Sequence, residues 1–157
     1  MADNPYAPPA ANVEDQPESI AGKRPVWVWV IFIFICFGVV SGSISTILVL
    51  SGKVVPDAST ARYFASLTWG DHMLTLMSYA LYFAAGLTLF RLRALAAKLF
   101  GAHLALTIVV MAYHLVTRPG YADLFRGPGA IGLFGGMAIS VVILLYTLRL
   151  RQKGVLR

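Results

Sequence analysis

The sequence predicts an all-α fold, a four-helix transmembrane bundle with both termini cytoplasmic, and three observations carry the prediction. Four apolar runs, Val26–Leu50, Met73–Phe90, Leu95–Val116 and Ala130–Leu148, each come close to the length a helix needs to cross roughly 30 Å of hydrocarbon. The one charge inside them, Lys98, sits about a turn from the start of the third. The thirteen lysines and arginines gather at the ends of the runs, nine on one side of the predicted membrane and four on the other, which by the positive-inside rule places both termini in the cytoplasm. Composition agrees: charged residues make up 13% of the chain and hydrophobic ones 58%, against about 25% charged in an ordinary soluble domain. Lipid offers no partner to a backbone N–H or C=O, so the runs must be helices.

Residues 1–25 are a polar tail, with five of the eight prolines and four of the seven acids. Too little apolar material is present to bury, and the tail is expected to be disordered. Asn4-Pro5-Tyr6-Ala7-Pro8-Pro9 resembles the opening of small bacterial multi-pass proteins of unknown function, and the segment from Tyr146 to Leu156 resembles their ends. The resemblance implies a bacterial inner-membrane protein and brings no activity or site residues with it.

Lys23 and Arg24 precede the first run, where Trp27 and Trp29 suit the headgroup level. The run is longer than the roughly 7–15 residues of a signal-peptide core and reads as a retained helix. The connection over residues 51–71 holds Pro56-Asp57, a helix-starting pair, followed by Ala61, Phe64, Ala65 and Thr68 at helical spacing. A short helix lying on the outer membrane surface is expected there, ended by Gly70-Asp71, with Asp71 capping the second span. Arg91–Lys98 is a short inner link, so the second and third spans are antiparallel neighbours. Pro119-Gly120 and Gly127-Pro128-Gly129 mark turns in the last outer loop. The spans form one domain over residues 26–149, and residues 150–157 form a basic cytoplasmic tail.

Between helices in lipid, close packing replaces the hydrophobic drive, and small residues permit it. The fourth span carries Gly132, Gly136 and Ser140 four residues apart, and the first carries Gly38 and Gly42. These stripes serve packing within one chain or a face for a second copy.

Chemistry is sparse. The lone cysteine, Cys36, can form neither an internal disulfide nor a Cys-x-x-Cys pair. There is no His-Glu-x-x-His, Gly-x-Ser-x-Gly, phosphate loop or Rossmann glycine pattern. No acid sits at mid-membrane, where coupled carriers place one. The sequence specifies no metal site and no cofactor, and the scattered basic residues argue against nucleic acid. Three histidines remain. His72 and His114 lie at the outer ends of neighbouring spans and can approach each other as a ligand pair for haem. His103 shares a face of the third span with Thr107 and His114, about 10 Å from its inner end. Asp71, His72, His114, Arg118, Asp123 and Arg126 form an outer rim that is either a small polar site or an ion-pair clasp.

Three function classes stay open on the sequence. One is a non-enzymatic accessory or assembly protein whose partners are the lipid bilayer and another membrane protein or itself. A second is a haem-, quinone- or small-molecule-binding component using the outer histidines. The third is a homo-oligomeric channel or carrier.

Overall fold

A computed structural model describes residues 24–54, 58–126 and 128–156. They form α1 (Val26–Leu50), α2 (Ala58–Ser66), α3 (Trp69–Phe90), α4 (Leu95–Thr117), a 3-10 turn (Ala122–Arg126) and α5 (Pro128–Gln152). The helices α1, α3, α4 and α5 are long and apolar enough to cross a membrane, and the chain is a multi-pass membrane protein. Their 22 to 25 residues give about 33–38 Å of rise. Residues 1–23 of the expected polar tail over residues 1–25, and the Pro56-Asp57 helix start, lie outside the described residues.

The largest interface joins α3 and α4, with α1 packed on α3 and α5 packed on α4. Among the described residues, α1 and α5 share little contact, so the four spans form a row in chain order with a paired centre and two flanks. The buried core follows this order: Val28 and Ile35 from α1, Ala85 and Leu89 from α3, Ala96 and Phe100 from α4, and Ile143 and Leu150 from α5. Close approach of α1 to α3 occurs at two glycines. A Cβ on Gly86 would meet Ile35 at 3.0 Å, and one on Gly42 would meet the Tyr79 hydroxyl at 2.7 Å. At the far end of this pair, Phe90 receives Trp29 edge-on and Phe32 stacked, both at 4.6 Å, while the Arg24 guanidinium lies 4.4 Å over its ring. These contacts tie the start of α1 to the end of α3 by aromatic and cation–π attraction.

Helix boundaries differ from the hydropathy reading where local hydrogen bonding extends or shortens a helix. The helix α3 starts at Trp69, four residues before the apolar run, because Thr68 and Asp71 form a capping box at its N-terminus. Asp71 is therefore the third residue of α3 rather than its N-cap, and α2 ends earlier than Gly70-Asp71, at Ser66. The helix α5 runs to Gln152, through part of the expected basic tail, and closes where Gly154 takes a φ of +69° and the Val155 N–H bonds back to the Leu150 carbonyl. The chain then turns so that Leu156 is buried against the core. The turn between α3 and α4 has the same closing geometry without glycine. Leu92 occupies the left-handed region at φ 54°, and the Arg93 N–H reaches the Thr88 carbonyl. A non-glycine residue there costs about 1–2 kcal/mol, offset by the packing of Leu92 against the core.

Candidate functional site

A cluster of polar side chains forms at the end of the spans that carries α2 and the 3-10 turn. The capping box begins the site: the Asp71 Oδ2 accepts the Thr68 N–H at 2.6 Å and the Thr68 hydroxyl at 2.8 Å. These bonds hold the carboxylate on the side of α3 that faces α4. There the guanidinium of Arg118, one residue beyond α4, donates to Oδ2 at 2.7 Å. One turn earlier on α4, the His114 Nε2 stands 3.3 Å from Oδ1. Asp71 is 2% exposed and His114 3%. The aspartate and arginine neutralise each other in this dry setting, and their additional hydrogen bonds offset the desolvation that a buried pair must overcome.

Further contacts to this group come from α2 and the last loop. The Tyr63 hydroxyl lies 2.9 Å from the His114 Nδ1. Burial raises the Tyr63 phenol well above its ordinary range, aided by nearby Tyr121 and Asp71, so it stays protonated. It can then donate to Nδ1, and a neutral imidazole protonated at Nε2 donates to Asp71, which satisfies both ring nitrogens. Tyr121, also raised by burial, stands edge-on to His114 at 5.5 Å and tilted against Tyr63 at 5.2 Å. Arg118 donates to the Tyr113 hydroxyl at 2.9 Å. The result is a closed chain, Tyr63 to His114 to Asp71 to Arg118, in which a short amphipathic helix and a loop are fastened over two spans.

The six predicted rim residues separate into groups. Asp71, His114 and Arg118 come together. Asp123 pairs with Arg62 of α2 at 3.4 Å, an exposed contact, and the Arg126 side chain lies outside the described residues. His72 stands apart from the cluster. Successive residues of a helix diverge by about 100°, so Asp71 faces α4 while His72 turns toward α1, edge-on to Trp69 at 6.4 Å between ring centres. His114 therefore meets the carboxylate, with both nitrogens engaged, and neither is free to ligate haem without breaking a bond in the cluster. No group of three or more metal-capable side chains occurs among the described residues. His103 stacks on Tyr82 at 4.5 Å, and its Nδ1 has no hydrogen-bond partner.

Reasoning from sequence missed Tyr63, Thr68, Tyr113 and Tyr121 as members of the cluster. Thr68 was within reach, since Thr-x-x-Asp before an apolar run is the capping-box pattern. The three tyrosines carry no such signal.

Beside His72 a cleft of about 520 Å³ opens between α1 and α3. Its walls are apolar apart from His72, Tyr79 and a few hydroxyls. The predicted packing residues also differ in their surroundings. Gly42 lies under Tyr79, whereas a Cβ on Gly38, Gly132, Gly135 or Gly136 would meet nothing within 4 Å. Ser140 turns its hydroxyl back to the Gly136 carbonyl at 2.9 Å.

The chain matches no protein-family model, and no curated protein or solved structure with which it was compared is similar to it.

Proposed function

We propose that this protein is an accessory or assembly component of a bacterial inner membrane, acting by presenting helix faces to another membrane protein or to a second copy of itself. The observation that carries this reading is the free face of α5. A Cβ on Gly132, Gly135 or Gly136 would meet nothing within 4 Å, and among the described residues the main partners of α5 are α4 and the 3-10 turn. Small residues in lipid contribute to association when a second backbone comes close, and among the described residues none comes close to Gly132, Gly135 or Gly136. The polar cluster favours the same reading, because Tyr63, His114, Asp71 and Arg118 bond to one another, leaving the buried Arg118 Nε without a partner among the described residues, and serve as a clasp holding the end of the row closed. The excess of basic residues beside the chain termini supports an orientation with both termini in the cytoplasm and α2 on the outer surface.

The test is recovery of the tagged full chain at native level in mild detergent, with mass spectrometry of whatever accompanies it. A stoichiometric second protein, or a defined homo-oligomer that Gly136→Leu dissolves, supports the proposal. A monomer recovered alone, unchanged by Gly136→Leu, overturns it.

A further inference from the structure

We propose that the cleft between α1 and α3 binds the head of a membrane quinone, with the Tyr79 hydroxyl and the His72 imidazole as the two donors to its carbonyl oxygens. This inference is independent of the partner face, which lies on α5.

The cleft volume of about 520 Å³ falls within the roughly 300–1,000 Å³ usual for small-molecule sites. Ile47 and Leu50 of α1 and Met73 and Leu76 of α3 line it, with Leu67 and Trp69 at one end. Two helices and a short connection supply these walls, and the remaining side opens where lipid would stand.

The polar groups of the cleft divide into occupied and free. Thr46 bonds to the Gly42 carbonyl and Thr75 to the Asp71 carbonyl, so both hydroxyl protons are spent along their own helices. Among the described residues, neither the Tyr79 hydroxyl nor the His72 ring has a hydrogen-bond partner. In a membrane span a phenol without a partner is unfavourable, and a ligand acceptor relieves it. The hydroxyl is also held in place, seated over Gly42, where any larger residue would displace it.

The placement of the two donors suits a ligand with an acceptor at each end. His72 and Tyr79 are seven residues apart on the cleft-facing side of α3, about 10 Å in rise. A long helical side chain leans toward the helix N-terminus, which brings the Tyr79 hydroxyl back toward His72. The cleft thus offers a donor at each end of an apolar slot. A para-quinone presents one carbonyl at each end of a flat apolar ring and carries an apolar tail suited to the open side. A phospholipid has its acceptors at headgroup depth only, where they reach His72 and leave Tyr79 unsatisfied.

The experiment titrates the purified full chain, carrying Trp27→Phe and Trp29→Phe so that Trp69 alone reports, with decylubiquinone in detergent micelles and follows fluorescence quenching. Saturable quenching is expected, weakened about tenfold or more in Tyr79→Phe/His72→Ala, which loses both hydrogen bonds. Tyr79→Phe alone keeps the ring over Gly42, so it tests the hydroxyl without disturbing the fold, and a severalfold loss is expected. Quenching that rises linearly without saturation would mean simple partition into the micelle, and quenching that saturates identically in both variants would mean binding that uses neither donor; either result overturns the proposal. Displacement of the probe by dioleoylphosphatidylglycerol as readily as by a second quinone would assign the cleft to lipid and overturn it as well.

Discussion

His114 and Asp71 lie 43 residues apart in sequence and meet in a buried contact of 3.3 Å between imidazole and carboxylate. The contact joins the two central spans at the end where Arg118 closes the same carboxylate at 2.7 Å. Each partner is held by a further bond, Asp71 by Thr68 and His114 by Tyr63, so the geometry is fixed from both sides.

Removing the charge of Asp71 should therefore be the most damaging polar substitution in the chain. In Asp71→Asn the Arg118 guanidinium, whose side chain is only 15% exposed, loses its counter-charge. The expected cost is about 3 kcal/mol. Arg118→Met should cost less, because Thr68 still donates two hydrogen bonds to the carboxylate. The double variant should recover part of the loss seen in Asp71→Asn. Thermal unfolding in detergent, followed by intrinsic fluorescence, measures all three. Equal stability of Asp71→Asn and the parent would refute the clasp.

Tyr63 gives the cluster a pH signature. Burial raises its phenol above the unfolded value of about 10. Above that value the unfolded state ionises first, so the folded state binds more protons and stability falls as pH rises. Below about pH 9 this group should contribute no pH dependence. Stability should then decline from about pH 10 upward, and Tyr63→Phe should make that decline shallower. Tyr63→Phe should also cost about 1 kcal/mol at neutral pH through the lost bond to His114. Unfolding midpoints measured from pH 7 to pH 11 for parent and variant separate the two effects.

The four spans were legible because their signal is bulk hydropathy, which requires no knowledge of what each side chain touches. The arrangement of the site was legible only in part. Asp71, His114 and Arg118 announce themselves as polar residues at the ends of apolar runs. Which neighbour each one faces depends on helix rotation, and a span apolar on all sides gives almost no periodic pattern from which to read that rotation. This is why Asp71 and His72, adjacent in sequence, were grouped on one rim although they face different helices. Tyr63 and Tyr121 were harder still, since only the folded path of α2 and the last loop carries them over His114. The start of α3 at Trp69 was set by the hydrogen bonds of Thr68 and Asp71, a local signal that hydropathy alone does not weigh.

The exposed pair between Arg62 and Asp123 provides a contrast with the buried one. At 3.4 Å, with the arginine side chain 69% exposed, it is screened by solvent and held by long side chains. Arg62→Ala should change stability by less than about 0.5 kcal/mol. A loss comparable to that of Asp71→Asn would mean that the two charges are buried when the protein sits in its native membrane, which reconstitution into nanodiscs would test directly.

The two classes of glycine on the flanking helices should respond oppositely to a larger side chain. At Gly42 a Cβ would come within 2.7 Å of the Tyr79 hydroxyl. The ring must move or α1 must separate from α3, and Gly42→Leu should destabilise the monomer by about 1–3 kcal/mol. At Gly136 an added Cβ meets nothing within 4 Å. Gly136→Leu should leave monomer stability within about 0.5 kcal/mol of the parent, even slightly favoured because leucine forms helix better than glycine. Any effect of Gly136→Leu must then be read between chains rather than within one. Native-gel mobility together with thermal unfolding decides this: a changed assembly with an unchanged melting temperature locates a contact on α5, whereas a lowered melting temperature would place α5 glycine packing inside the monomer.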